Sequence, residues 1–276
     1  MGKNNYQSIS EIGLKNADKE YSYLKKEIFK DDVDYFDKLE KLHFKKLKLS
    51  QIKDRSIITE PFVIEFLGTA RTGKTTMKNM IYDFFKKAGF KVKIINEFVE
   101  SDNYKKEFLP RIKDLSIFEA NIKIAEEFIR QLETEIHSNW DIILIDRWLI
   151  DSIIWIDRRT RKKGMTNREY KKYIDYCFPA IKRMLDMAII TYADVNTVLK
   201  REYYNSISLE TRTFLNKETA SEYNFSLNKC REVINKNFPD NYYLDTTKKE
   251  INENAIKIAN RIINRLSKKY LASHQK

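Results

Sequence analysis

From residue 60 onward, short apolar runs alternate with longer stretches in which apolar positions recur every three or four residues. The run Phe62-Val63-Ile64-Glu65-Phe66-Leu67 predicts a first strand. The stretch from Lys74 to Ala88 predicts its helix, with Gly89 as the stop. Residues 91–97, Lys91-Val92-Lys93-Ile94-Ile95-Asn96-Glu97, predict a second strand. A long helix follows from about Ile117 to His137, with Phe118, Ile122, Ala125, Phe128 and Leu132 at helical spacing. Residues 141–146 predict a third strand, continuously apolar between its end aspartates and therefore expected inside a sheet. Thr166 and Glu169 have the spacing of a capping box that opens a helix toward Leu185. Residues 188–192 and 242–244 predict the fourth and fifth strands, and a last amphipathic helix covers about 250–270. Strands separated by helices imply βαβ units, hence a five-stranded parallel sheet with helices on both faces.

Residues 1–58 precede this alternation. Within them, residues 31–49 predict a helix with Val33, Phe36, Leu39, Leu42 and Leu47 loosely on one side. The segment reads as an N-terminal helical extension that packs on the core, or else as an element that joins a partner or forms a homodimer. The expected organisation is this extension over 1–58 and a single α/β domain over 59–276.

The bulk numbers narrow the class. With 276 residues and 42% hydrophobic content, the chain can bury a sizeable core, which excludes global disorder. It contains no apolar run long enough to span a bilayer, and its first residues carry no signal-peptide pattern. Tyr6 stands where a myristoylation site needs Ser or Thr. Cys177 and Cys230 are far apart in sequence and support neither zinc nor a disulfide framework, so the expected location is cytoplasmic, without membrane. His43, His137 and His274 share no spacing that suggests a metal site or a triad. A net charge of +12 suits phosphate-rich partners, nucleic acid included. It suits equally the Lys-, Asn-, Ile- and Tyr-rich usage of an A/T-rich coding sequence.

The chemistry enters at residues 68–75. Gly68-Thr69-Ala70-Arg71-Thr72-Gly73-Lys74-Thr75 is the phosphate-loop pattern G-x-x-x-x-G-K-[ST], set between a predicted strand and a predicted helix. The glycines let backbone amides converge on a polyphosphate, and the following helix adds its positive end. In this pattern Lys74 bridges the β- and γ-phosphates, and the Thr75 hydroxyl ligates Mg²⁺. The expected donor is ATP with Mg²⁺, held by residues 68–76, Thr76 included. In parallel sheets ligands collect at the carboxyl ends of the strands, where the second strand delivers Glu97 and the third delivers Asp146 and Arg147. Such an acid can hold a Mg²⁺ water or take a hydroxyl proton, while the guanidinium clamps phosphate oxygens. After the fourth strand, a polar segment over about 201–216 carries Arg201 and Arg212. The run Arg158-Arg159-Thr160-Arg161-Lys162-Lys163 could grip an acceptor phosphate or a nucleic-acid backbone, or be a solvated loop.

Residues 64–76 resemble the opening of thymidylate kinases, with Arg71 two residues before the second glycine as in many of them. Ile117-Phe118-Glu119-Ala120-Asn121 is similar to that family's Phe-Ala-Ala-Asn stretch, and Asp146-Arg147 to its Asp-Arg pair. Residues 189–195 and 243–247 resemble its fourth strand and its last strand with the adenine-side loop. Deoxynucleoside kinases carry a glutamate after strand two and an acid-Arg pair after strand three, which Glu97 and Asp146-Arg147 match equally. The resemblance spans about 60–270. It implies a three-layer P-loop fold, a γ-phosphoryl transfer from ATP to a nucleoside or nucleoside monophosphate, and a lid that brings Arg201 and Arg212 over the transferring group. Two departures touch the acceptor side: Ala70 replaces a usual aspartate, and Ile122 replaces a helix arginine. A nucleic-acid 5′-hydroxyl kinase and a partner-dependent ATPase or switch are the alternatives.

Overall fold

The computed structural model describes residues 21–54, 60–162, 164–206, 215–248 and 250–273. The chain divides into two compact units, Thr59–Asn254 and a second one that joins Met1–Ile58 to Ala255–Lys276.

The larger unit holds five parallel strands, β1 (Phe62–Gly68), β2 (Val92–Ile95), β3 (Ile142–Asp146), β4 (Met187–Tyr192) and β5 (Asn241–Asp245), in the order β2-β3-β1-β4-β5. Parallel neighbours need a crossover, and helices supply it: α2 (Lys74–Lys86), α3 (Ile117–Ile136), α4 (Leu149–Arg161), α5 (Asn167–Met184), α6 (Val195–Ser206) and α7 (Lys217–Asn237). The expected α/β sheet is therefore present. Strand β1 lies in the middle, pairing Phe66 with Asp146 on one side and Gly68 with Thr191 on the other. One core cluster joins the sheet to the helices, with Val63, Ile143, Ile145 and Ile190 packed among Ile153, Ile181, Leu227 and Ile234. The amino ends of the strands are pinned by aspartates: Asp186 Oδ2 accepts from Val63 N at 2.8 Å, and Asp141 Oδ2 from Lys91 N at 2.6 Å.

The helix starts follow local chemistry. Capping boxes open α3 (Ser116 with Glu119), α5 (Thr166 with Glu169) and α7 (Asn216 with Thr219). Three boundaries differ from the sequence reading. Strand β2 stops at Ile95, so Asn96 and Glu97 turn off the sheet edge ahead of a 3₁₀ turn, Phe98–Glu100. Helix α4 extends to Arg161, so most of the basic run lies inside a helix. Helix α7, which no expectation covered, begins after Asn216.

The second unit contains α1 (Val33–Asp54), and α8 (Ile251–Ser273) runs into it from the first. Helix α1 outlasts the expected 31–49. It buries Phe36, Leu42 and Leu49 and leaves Val33 exposed. Lys45 Nζ donates to Asn260 Oδ1 of α8 at 2.7 Å. Among the described residues no helix is long and apolar enough to cross a membrane.

Candidate active site

The end of β1 is shaped by a contact that tolerates no side chain. Gly68 has φ +128°, and a Cβ there would sit 1.8 Å from the Thr191 carbonyl oxygen of β4. The chain continues from this pinch, with Thr69 N donating to the same oxygen at 3.1 Å. It then turns into α2 through Gly73, whose φ of +83° places it in the left-handed region that glycine adopts without cost. Thr72 Oγ1 donates to Thr69 O at 2.8 Å and lies 2.6 Å from Thr191 Oγ1, so the loop closes on itself and on β4. Thr69 Oγ1 donates to Asn224 Oδ1 of α7 at 2.6 Å.

Lys74 Nζ donates back to Gly68 O and Thr69 O at 3.1 and 3.0 Å. Burial, helped by the positive charge of Arg147, brings its pKa down to about 7 despite the nearby carboxylates. Arg71 reaches out of the loop to a buried carboxylate, Glu202 on α6. Its neighbour Arg201 donates to Thr246 O at 2.6 Å and to Arg71 O at 3.4 Å, joining α6, the loop after β5 and the phosphate loop. These groups border a cleft of about 500 Å³ lined by residues 71–77 with Arg201, Thr246, Glu250, Ile251 and Asn254.

A second cluster stands at the ends of β2 and β3. Arg147 Nε lies 3.2 Å from Glu97 Oε2, and its Nη1 lies 2.8 Å from Asp151 Oδ2. Asp151 also accepts a hydrogen bond from the Tyr223 hydroxyl of α7. Burial works against the Arg147 charge, but Asp151 and Glu97 carry its pKa above the ordinary arginine value. Arg147 has φ +56° and Arg71 has φ +58°, and among the described residues these are the non-glycine positions with positive φ. Asp146 accepts from Lys78 Nζ at 2.7 Å, and Lys78 also reaches Asn96 Oδ1 at 3.4 Å. Aromatic and aliphatic side chains, among them Phe98, Phe128 and Trp148, close in beside Arg147 and leave a gap of about 10 Å³, room for one water.

Sequence reasoning passed over two residues that hold this cluster in place. Glu65 sits fully buried in β1, with Oε1 accepting from Trp148 N (2.8 Å) and Asp151 N (3.0 Å) and Oε2 from Ile150 N (3.2 Å). Helix α4 has no cap of its own at Trp148, so the β1 carboxylate serves its first turn. Burial pushes Glu65 up to about 8 against those three amides. The signal was a lone acid inside an apolar strand. Lys78 is the other, and its signal was a second lysine one turn after Lys74 on an otherwise core-facing side of α2.

Loop residues 71–76, Lys74 among them, thus meet Arg201 at one cleft whose lining does not include Gly68, Thr69 or Ala70, while Glu97, Asp146 and Arg147 gather on neighbouring strand ends. Arg212 and His274 lie outside the described residues, as does Lys163. Most of the remaining basic run is paired with carboxylates. Arg158 pairs with Glu222 of α7, Lys162 with Glu218 and Glu222, and Arg161 with Asp157, while Arg159 is exposed.

The strand order and the glycine loop between β1 and α2 give a fold shared with solved P-loop nucleoside and nucleotide kinases. The sequence matches no protein-family model and no curated protein. Among solved structures, the chain is similar to thymidylate kinase from Candida albicans, with TM-score 0.54 and 13% identity over 74% of this chain and 91% of that one. It is similar to deoxyadenosine kinase from M. mycoides with bound dATP, with TM-score 0.51 and 20% identity over 74% of this chain and all of that one. The same kinase with the products dCMP and a flexible dCDP gives TM-score 0.50 at 20% identity over 75% of this chain. At these identities the likeness is one of fold.

Proposed function

We propose that the chain is a phosphotransferase that moves the γ-phosphoryl of ATP, with Mg²⁺, onto a nucleoside or nucleoside monophosphate. The observation that carries this reading is a phosphate loop that holds one strained arginine, Arg71, beside a second, Arg147, that follows the adjacent strand β3. Left-handed backbone at a non-glycine residue costs about 1–3 kcal/mol and persists where function requires it. In the proposed reaction the bond between the γ-phosphorus and the β-bridging oxygen breaks and a bond to the acceptor oxygen forms. ADP leaves, and where the acceptor is a nucleoside hydroxyl its proton passes to Glu97, whereas a monophosphate attacks through an oxygen that carries none. Lys74, Arg71 and Arg147 stabilise the negative charge in flight, and Arg201 fixes the donor side of the cleft. Arg212 would act from the lid.

The chemistry of the donor set fits magnesium. Among the described residues no group of three His, Cys, Asp or Glu side chains could cage a metal. Thr75 instead offers a hydroxyl at the cleft and Asp146 a carboxylate at the end of the strand beside β1, the sparse oxygen set of an ion that keeps its waters and leans on phosphates. Bound there, the ion would neutralise the β- and γ-oxygens.

A nucleic-acid acceptor draws less support, because the basic run meant to hold it is largely engaged by Glu218, Glu222 and Asp157. The deciding assay incubates the chain with ATP, Mg²⁺ and a panel of nucleosides and monophosphates. Acceptor-dependent ADP release that disappears in Lys74→Ala is expected. A folded, ATP-binding protein that phosphorylates none of the panel would refute the reading.

A further inference from the structure

Two lysines project from successive turns of α2, and they have different partners. Lys74 bonds backbone carbonyls of the loop, whereas Lys78, with 2% of its side chain exposed, ends 2.7 Å from Asp146 Oδ2 and 3.4 Å from Asn96 Oδ1. An ammonium in a dry interior is strongly disfavoured unless paired, and an apolar side chain of similar length would fit such a site at lower cost. An ion pair kept only to fasten α2 to the sheet would be expected anywhere along their contact. This one stands at the end of β3, beside Arg147 and opposite Phe66, two residues before the phosphate loop begins.

We propose that Lys78 is a resident internal cation that commits Asp146 and keeps it out of a divalent ion's inner coordination shell. An ammonium 2.7 Å from Oδ2 occupies the approach a metal would need, and its charge repels a second cation at such range. Asp146 then touches the ion only through water, and inner ligation falls to Thr75, the phosphates and solvent. The site thus carries one fixed positive charge where a bare carboxylate would recruit a mobile one. The location rests on the phosphotransfer reading, but the nucleotide-free test does not.

Mn²⁺ titrations of the full-length chain without nucleotide, read by the EPR signal of the free ion, decide the matter. Lys78→Met and Lys78→Gln are expected to bind Mn²⁺ at least about tenfold more tightly than the wild type, since removing the ammonium uncovers the carboxylate. Adding Asp146→Asn to Lys78→Met should return the affinity to the wild-type level. Unchanged affinity in both single variants overturns the proposal, and so does a gain that survives Asp146→Asn. If neither Lys78 variant folds, Asp146→Asn alone decides through Mn²⁺ binding in the presence of ADP. A loss under about fivefold supports outer-sphere contact, and a larger loss makes Asp146 an inner ligand and overturns the proposal. A wild type that binds no ATP would sink the phosphotransfer reading while leaving the nucleotide-free contrast intact.

Discussion

Lys74 and Glu65 are both buried ionisable groups, and they are shifted in opposite senses. The Lys74 pKa of about 7 lies below its unfolded value near 10.5. Between those limits the unfolded chain holds a proton that the native chain lacks, so this residue's contribution to stability is present at high pH and declines as pH falls toward 7. An anion on the loop restores the ammonium. Triphosphate binding should therefore take up about one proton at pH 8 and almost none near pH 6, measured by calorimetry in buffers of different ionisation enthalpy. No uptake at pH 8 would contradict the burial argument. Glu65, raised to about 8, contributes stability that is full below its unfolded value near 4.5 and is lost as pH rises through 8. Glu65→Gln turns one acceptor oxygen into a donor facing a backbone amide, and should cost about 1–3 kcal/mol in urea denaturation. It should also lower turnover, because Asp151, which orients Arg147, is anchored through the same carboxylate.

At the scale of elements, β1 and β4 meet at a backbone contact that admits only glycine. Gly68→Ala combines a positive φ with a collision against Thr191 and should destabilise by at least about 3 kcal/mol, with loss of nucleotide affinity. Wild-type stability in that variant would mean the loop can re-route. The strands and the phosphate loop were legible in the sequence because each is a local signal: a continuous apolar run, or glycines at fixed spacing. Helix α5 was legible from Thr166 and Glu169 alone. Helix α7 was not, although Asn216 and Thr219 cap it, because its buried positions (Ala220, Tyr223, Leu227, Ile234) are interleaved with Ser, Asn and Lys. The partners of Asp146, Arg147 and the 158–162 run were equally hidden. They come from α2, the turn after β2, α4 and α7, and composition cannot say which carboxylate a given cation will meet.

For the whole molecule, the division into units gives α8 a double membership, since it begins beside the cleft and continues in the unit that contains α1. Ile258, Ile262 and Leu266 of α8 are fully buried, and α1 reaches that helix through Lys45. A chain beginning at Thr59 is therefore expected to lose part of the cover of α8 and to associate, as measured by light scattering. A monodisperse product would mean that residues 1–58 are dispensable to the second unit. The densest basic run contributes little to the +12 excess, because Arg158, Arg161 and Lys162 are matched by carboxylates of α4 and α7.

The pinch between Gly68 and the Thr191 carbonyl has a consequence for how such a chain can diversify. It fixes the spacing of two neighbouring strands by main chain alone, so no exchange of side chains can widen or narrow that flank. The flank built on β2 and β3 is lined by side chains, and each of them can be traded singly. A descendant that acquires a new target would have to remodel that second flank and inherit the first intact.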